Sequence, residues 1–494
     1  MWPTLQGSLR MATRPKTSRF LCRWKSQRAE RDTIFALSSG AGKCGLAVIR
    51  TSGPDSHSAL VRLAGKAPLA RTAALRRIRQ PDSGETLDRG LVLWFPGPGS
   101  FTGEDVAEYH VHGGPAVVSG ILNALGGLPR LRLAEPGEFT KRAFQNGKLD
   151  LTAAEGLGDL IHAETEGQRR QALRQMEGEL GALYQRWSQT LTKALAHLEA
   201  YIDFSEDDNI EGGVLVQVEE AVASLAQELE THLQDGRRGE RLRDGIRVVI
   251  AGPTNAGKSS LLNQLCQKPA AIVSPVAGTT RDVVEAALNL NGIPIVLSDT
   301  AGLRETGDAV EKEGVDRARQ RVLTADLVLA VLDAAEVSQR PEQLTALLLD
   351  VLPANDPTHS RPWLLVLNKA DLLAREAKAV LEAACAGMGP SPACLLSCKT
   401  GDGIGPFLQT LGERLSDLCG DPQVGSPSPT RARHRLGLTQ CLDALGRFGH
   451  YRSVDLALAA EELRQARRQL GRLTGQVGSE EILTLIFQDF CIGK

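Results

Sequence analysis

Aromatic residues supply only 4% of the 494-residue chain, so its cores must be built mainly from Leu, Val, Ala and Ile. No apolar run approaches the ~18 residues that a membrane-spanning helix needs, which excludes a helical span. A charge excess is missing too. Lys and Arg number 57 against 59 Asp and Glu, for a net charge of −2. Without a global basic field, any contact with RNA requires a local patch or a partner. The nine cysteines are odd in number, contain no C-x-x-C pair, and leave Cys394 and Cys398 without a nearby histidine. That pattern excludes a disulfide framework or a zinc site and implies reduced thiols in a non-secreted protein. Acidic residues are absent before Glu30, whereas Arg10, Arg14, Lys16, Arg19, Arg23, Lys25 and Arg28 precede it. Ser and Thr are scattered among them and no long apolar segment interrupts them. Residues 1–31 therefore read as a mitochondrial transit peptide, with the matrix as destination.

The remainder divides by pattern. Residues 32–150 alternate short strand-like runs, such as Leu46–Ile49 and Leu91–Phe95, with Gly/Pro turns and read as an α+β domain. Residues 151–243 turn helical. Leu183, Trp187, Leu191, Leu195, Leu198 and Ile202 form one apolar stripe, and Val218, Val222, Leu225, Leu229 and Leu233 form another. A Gly/Arg-rich hinge at 236–245 leads into residues 244–420. There, strands at Val248–Ala251, Val283–Leu290, Ile293–Leu297, Leu327–Leu332, Trp363–Leu367 and Cys394–Leu396 alternate with helical segments, with Asn291-Gly292 as a hairpin turn. This order predicts a mostly parallel sheet covered by helices. After a Pro/Ser-rich linker at 422–429, helical patterns resume at Leu436–Phe448, Leu456–Leu473 and Ser479–Phe490. The predicted fold is multidomain: an α+β domain, then a helical bundle (151–243 and 421–494) split by an inserted Ras-like α/β P-loop domain.

That inserted domain carries the sharpest chemistry. Gly252-Pro253-Thr254-Asn255-Ala256-Gly257-Lys258-Ser259-Ser260 joins a strand to a helix with the G-x-x-x-x-G-K-S spacing of a phosphate cradle. Backbone N–H groups turn inward there, Lys258 reaches the outer phosphates, and Ser259 offers a hydroxyl to Mg²⁺. Asp299-Thr300-Ala301-Gly302 closes a buried strand, where Asp299 can hold Mg²⁺ through water and the Gly302 N–H can sense a γ-phosphate. Asn368-Lys369-Ala370-Asp371 ends another strand. The Asp371 carboxylate accepts the N1 and N2 hydrogens of guanine, a pair that adenine lacks. Ser397-Cys398-Lys399 fits the second base-contact loop, with Cys398 where Ala is usual. All four motifs stand at predicted strand ends, and the ligand they imply is GTP. Leu303 follows Gly302, so no Gln there orients a water. Thr280, within Gly278–Asp282, is a candidate second hydroxyl on Mg²⁺. Asn255 is a candidate ligand for a monovalent cation such as K⁺, which would act as an arginine finger does. Glu311 could position water; a solvated helix acid is its other reading.

The chain resembles the MnmE (TrmE) family of tRNA-modification GTPases in a mitochondrial form. The resemblance runs from Asp32 to Lys494 and rests on pieces that generic GTPases lack: Phe101-Thr102-Gly103-Glu104-Asp105, His112–Pro115, Pro136–Phe144, Lys148–Leu151 and Cys491-Ile492-Gly493-Lys494. It implies that, with an FAD-dependent MnmG-type partner, the protein installs an aminomethyl-type substituent at C5 of wobble uridine 34 in mitochondrial tRNA. A tetrahydrofolate derivative, 5,10-methylene or 5-formyl, would supply the one-carbon unit, and taurine, glycine or ammonium the amine. It further implies an N-terminal domain that binds folate and forms the homodimer. Arg50, Glu108, Lys148 and Lys494 would line the folate pocket, with Glu108 accepting pterin N–H groups and the cations meeting the glutamate tail. Apart from the family, Arg50 and Lys148 read as surface ion-pair residues. The resemblance makes Glu311 catalytic alongside Lys258 and Asn255, and places Asn255, Ser274, Val276 and Thr279 around K⁺. The sequence departs from the family with Thr254 where Pro is usual and Ser274 where Thr is common. Cys491 reads better as a packing group than as a covalent catalyst. An Era-type assembly switch would leave 32–150 unexplained. A folate transferase with a degenerate GTPase domain conflicts with the intact Lys258, Ser259, Asp299 and Asp371.

Overall fold

A computed structural model describes residues 32–204, 213–235, 237–267, 285–299, 320–352, 362–386, 393–420 and 427–477, together with Ile486, Phe487, Phe490 and Gly493. The chain forms two compact units, one of Met1–Lys148 with Leu485–Lys494, the other of Leu149–Thr484. The division at 421–494 expected from sequence keeps the last ten residues with the helices; by contacts they cluster with the N-terminal unit.

The N-terminal unit is built on a six-stranded sheet of order β3-β4-β5-β2-β1-β6. Its strands are β1 (Thr33–Leu37), β2 (Cys44–Ser52), β3 (Ala74–Arg79), β4 (Thr86–Phe95), β5 (Val106–Gly113) and β6 (Leu131–Leu133). All neighbours are antiparallel except β1 and β6. One face packs Ile49, Val92, Tyr109 and Val111 against Leu60 and Leu63 of helix Ser56–Ala64 and Ile121 and Leu125 of helix Pro115–Gly126. The strand read at Leu46–Ile49 is longer because β2 is paired on both sides, with a register shift between Cys44 and Ala47. The C-terminal segment is held in this unit by its own contacts. The buried Phe487 ring meets Phe144 and Phe490, and Ser38 Oγ donates to the Gly493 carbonyl at 2.9 Å. Gly493 has φ +97°, and a Cβ there would overlap the Leu37 carbonyl.

The second unit has a helical part and an α/β part. Both predicted stripes are buried, on helices Glu179–Phe204 and Gly213–Leu233. They share one core with Leu438, Cys441, Leu445 and Phe448 of helix Ala432–Tyr451 and Leu463 and Leu470 of helix Leu456–Thr474. The chain therefore leaves the core, builds the α/β part, and returns to it. The stretch read as a hinge contains a short helix, Arg238–Asp244, ended by Gly245 at φ +88°.

The α/β sheet has order β12-β11-β10-β7-β9-β8, with β7 (Ile246–Ala251), β8 (Glu285–Leu290), β9 (Ile293–Asp299), β10 (Leu327–Asp333), β11 (Trp363–Asn368) and β12 (Ala393–Leu395). Only β8 and β9 pair antiparallel. Burial on both faces explains the unbroken apolar run of β10: Leu327, Leu329 and Val331 enter one core, Ala330 and Leu332 the opposite one.

Polar groups are sealed between helices of the helical part. Glu155, fully buried, accepts both guanidinium arms of Arg433 at 2.6 Å and His434 Nε2 at 2.9 Å. Burial would raise the Glu155 carboxyl, but His434 and then Arg433, each by charge and by hydrogen bond, hold it far below its ordinary value. Burial lowers the His434 imidazole and outweighs the Glu155 charge and hydrogen bond that would raise it. His232, beside Trp187 and Tyr184, is pushed down by burial to about 4 and has no partner for Nε2. Below pH 6.5 the unfolded chain binds a proton that this folded site refuses. Stability present above that pH is thus lost as pH falls toward 4, by about 3 kcal/mol at the end of the window. We predict that His232→Phe flattens the melting-temperature profile between pH 7 and 4.5 relative to wild type. The comparison isolates His232, since His434 titrates in both proteins.

Candidate functional site: a nucleotide edge and a sheet-bound ion pair

In a parallel sheet the loops that follow the strands share one edge. Here that edge collects the loop after β7, Asp299 at the end of β9, Asp333 at the end of β10, Asn368 at the end of β11, and Ser397 after β12. The loop after β7 is shaped by backbone that only certain residues adopt. Gly252 has φ +154° and Gly257 φ +93°. A side chain at Gly252 would overlap the Val331 carbonyl, and one at Gly257 the Asn368 amide. Asn255 takes φ +63°, which Asn tolerates better than most residues. Helix Lys258–Cys266 begins at the loop's end, so its free N–H groups and positive dipole end lie where phosphate is expected.

Lys258 is buried, and its Nζ donates to the carbonyls of Gly252 at 2.9 Å and Pro253 at 2.8 Å. Burial lowers its ammonium from the ordinary range, partly opposed by the Asp299 charge. Ser259 Oγ donates to Asp299 Oδ2 at 2.9 Å. That hydroxyl–carboxylate pair is a hard oxygen donor set suited to Mg²⁺. The carbonyl-bearing side chain of exposed Asn255 suits a monovalent cation at the loop's outer side. Thr254 and Ser260 are likewise exposed, while Ala256 is buried beneath the loop.

The base-side motifs join the loop through one amide. Asn368 Nδ2 donates to the Ala256 carbonyl at 3.0 Å, and its Oδ1 accepts the Cys398 N–H at 3.1 Å. Ser397 Oγ donates to Asp371 Oδ1 at 2.6 Å and accepts from the N–H groups of Lys399 and Thr400. Asp371 is exposed with a second oxygen to offer. Burial pushes the Cys398 thiol up to about 11, so it serves as a small packing group. Sequence reading missed Asp333. It sits at the end of an apolar strand and accepts Lys369 Nζ at 2.8 Å. Burial would raise the Asp333 carboxyl; Lys369 and the Ala335 N–H outweigh this and hold it below its ordinary value. Its position at the end of a strand was the available signal.

In the N-terminal unit, Arg50 on β2 and Glu108 on β5 are direct cross-strand neighbours. Arg50 Nε and Nη2 donate to Glu108 Oε1 at 3.0 and 2.9 Å, and His110 Nε2 meets Oε2 at 3.1 Å. The guanidinium also lies 5.5 Å from the Phe101 ring centre and 5.8 Å from that of Phe139. Burial would raise the Glu108 carboxyl, but His110 and Arg50 outweigh it and keep it ionised, the form that accepts N–H donors. Lys148 makes its hydrogen bond to the Pro98 carbonyl at 3.0 Å, on the loop that carries Phe101. His110, Phe101 and Phe139 are additions to the sequence-based set.

The family-like motifs brace that loop. Buried Arg142 donates to Glu104 and Glu138, each at 3.0 Å. Ser52 Oγ bonds Glu104 at 2.8 Å and Thr102 at 2.7 Å, while Asn146 donates to the Thr102 carbonyl at 2.7 Å. The expected sites at Ser274, Val276, Thr279, Thr280, Thr300, Ala301, Gly302, Glu311, Cys491 and Lys494 lie outside the described residues. Among the described residues, no group of three or more His, Cys, Asp and Glu could hold a metal.

Two family models match, covering both units. Residues 33–148 match the N-terminus of the GTP-binding protein TrmE, and residues 151–491 match the MnmE helical domain. The chain belongs to the MnmE family. A Danio rerio relative, "5-taurinomethyluridine-tRNA synthase subunit GTPB3, mitochondrial", is 58% identical over 94% of this chain and 93% of its own length. The Homo sapiens protein of the same name is 59% identical over the same shares. A bacterial "tRNA modification GTPase MnmE" from Parvibaculum lavamentivorans is 49% identical over 94% of this chain and all of its own.

Within this MnmE-family chain, Asn368 generates a direct prediction. Asn368→Ala leaves the buried Ala256 carbonyl and Cys398 N–H without their side-chain partner. Unsatisfied buried groups cost ~1–3 kcal/mol each, so urea denaturation should show a loss of about 3 kcal/mol.

Proposed function

We propose that this chain hydrolyses GTP and couples that hydrolysis to the modification of mitochondrial tRNA at C5 of wobble uridine 34. The observation that carries the reading is the assembly of Lys258, Ser259 with Asp299, Asn368 and Asp371 on one sheet edge. It stands in a chain that matches curated relatives over 94% of its length.

The residues divide the work. The phosphate loop and the N-terminus of the helix at Lys258 receive the phosphates. Lys258 brings a partly desolvated positive charge, which stabilises the charge that develops on the γ-phosphoryl oxygens. Asn368 keeps this loop in fixed register with the base loop. Asp371, oriented by Ser397, accepts the guanine N1 and N2 hydrogens; Lys369, tethered by Asp333, borders the base plane. Ser259 with Thr280, and Asp299 through water, would hold Mg²⁺, which would supply positive charge against the phosphates. Asn255, Ser274, Val276 and Thr279 would hold K⁺, which would supply further positive charge beside the phosphates. Glu311 is the residue we assign to positioning the attacking water, with Thr300, Ala301 and Gly302 following the γ-phosphate.

The N-terminal unit is assigned the one-carbon carrier. Glu108, fixed as a carboxylate between Arg50 and His110, would accept pterin N–H groups; Phe101 and Phe139 flank Arg50; Lys148 and Lys494 would meet the carboxylate tail. The tetrahydrofolate, when bound, supplies the carbon that joins the uridine ring to the amine, and the relatives named for 5-taurinomethyluridine support taurine as that amine. The same reading includes a homodimer through the N-terminal unit, an FAD-dependent MnmG-type partner for the redox step, and the mitochondrial matrix as the place of action.

Two measurements test this. In cells lacking the protein, mass spectrometry of mitochondrial wobble uridines should show the C5 substituent lost, restored by wild type and not by Asp299→Ala. Unchanged nucleosides would sink the proposal. In the purified protein, Asp371→Asn should weaken GTP binding roughly 100-fold, the cost of two hydrogen bonds to a charged acceptor. Equal affinity by calorimetry would remove Asp371 from the base site.

A further inference from the structure

One oxygen of Asp159, on helix Leu151–His162, takes two guanidinium hydrogen bonds. Arg243 Nε and Arg431 Nη2 both donate to Oδ1 at 2.9 Å. These arginines mark the two chain crossings of the inserted α/β part. Arg243 lies in the last turn of the short helix before β7, and Arg431 is the residue before helix Ala432–Tyr451, where the chain has returned. A single carboxylate thus ties entry to exit and anchors both on the helical part.

The neighbouring helix, Glu166–Met176, adds contacts of the same kind. Gln168 Nε2 donates to the Arg243 carbonyl at 2.9 Å. Gly167 N–H donates to the Gly292 carbonyl, also at 2.9 Å. Gly292 is the tip of the β8–β9 hairpin, and from it β9 runs seven residues, about 20 Å, to Asp299 on the nucleotide edge. The approach at Gly167 is close: a Cβ there would lie 2.8 Å from the Gly292 oxygen and 2.9 Å from Leu242 Cδ1.

We propose that Asp159 is a positioning residue that fixes the angle of the inserted nucleotide domain on helices 151–176. A displacement at Asp299 then travels along β9 to Gly167 instead of being lost by rotation at the two crossings. The inference rests on the GTPase-coupled reading above. Apolar contact alone resists separation but permits sliding. A carboxylate shared by two guanidiniums selects one geometry, because moving either arginine breaks a charge-assisted hydrogen bond. Asn at this position keeps an acceptor of the same shape and removes the shared counter-ion, leaving Arg243 with Asp244 at 2.7 Å and Arg431 with Glu155 at 3.5 Å, partners that do not tie one crossing to the other.

The test uses the full-length chain with Asp159→Asn, Asp159→Glu and Gly167→Ala, run beside wild type and Asp299→Ala. Asp159→Asn and Gly167→Ala should keep kcat and KM for GTP within about threefold of wild type. Their wobble-uridine modification should fall at least about tenfold. The difference in hydrogen exchange of residues 151–176 between a GTP analogue and GDP should disappear in both, and Asp159→Glu should restore part of it. Retained modification with a retained exchange difference would overturn the proposal. So would loss of GTP turnover in proportion to modification, which marks a merely structural role. If Asp159→Asn does not fold, Gly167→Ala decides by the same criteria, since it prises the second anchor and leaves the carboxylate intact. Normal modification with Asp299→Ala would instead bring down the GTPase-coupled reading itself.

Discussion

The nucleotide edge depends on one side-chain amide. The phosphate loop and the base loop come from opposite ends of the α/β part. Asn368 spans 112 residues of sequence to the Ala256 carbonyl and 30 to the Cys398 N–H. With both bonds made, neither loop can shift without stranding a buried polar group. Gly257 allows this approach because it has no Cβ to meet the Asn368 amide. Asn368 is therefore as much a structural tie as a ligand-facing residue, and guanine selectivity by Asp371 relies on it. A base-reading carboxylate is useful only if the phosphates are held at a fixed distance from it.

The N-terminal unit solves a similar problem with charge. The loop carrying Phe101 has little apolar surface with which to hold itself. Buried Arg142 supplies the hold by pairing with Glu104 and Glu138, while Thr102 and Ser52 close the remaining polar groups. Removing Arg142 would take a cationic partner from both Glu104 and Glu138. The motif Phe101–Asp105 is thus mostly scaffold; the part that faces the Arg50–Glu108 pair is Phe101.

Sequence carried the fold well where signals were local. The glycine pattern of the phosphate loop, the acidic residues at strand ends, the Asn291-Gly292 turn and the two helical stripes each follow from residues within a few positions of one another. What escaped depends on distant partners. Arg142 reads as a solvated charge on an amphipathic helix until Glu104, from another loop, is brought beside it. Asp333 gains meaning only with Lys369, and His110 only with Glu108 two residues away on the same face. The helix Arg238–Asp244 was hidden by its glycine and arginine content and starts after Arg237 at φ +62°. The affiliation of Phe487, Phe490 and Gly493 with the N-terminal unit is tertiary and leaves no periodic trace. The sites at Thr280, Glu311 and Lys494 rest on motif and resemblance, being outside the described residues.

The helical part shows how a core can be completed across a long insertion. Its core is apolar and continuous, with Leu191, Leu229, Leu438 and Leu463 packed together from segments on both sides of the insertion. Such a core tolerates a long interruption, because loop-closure cost grows slowly with length. It does not fix the orientation of what is inserted. Orientation falls to directional contacts at the crossings: Asp159 with Arg243 and Arg431, and the Gly167–Gly292 backbone bond. What the charges at Asp159 add is a restricted set of angles between helices and sheet. A nucleotide-driven domain needs that restriction, since motion through an unconstrained joint delivers no defined displacement to the helices it must move.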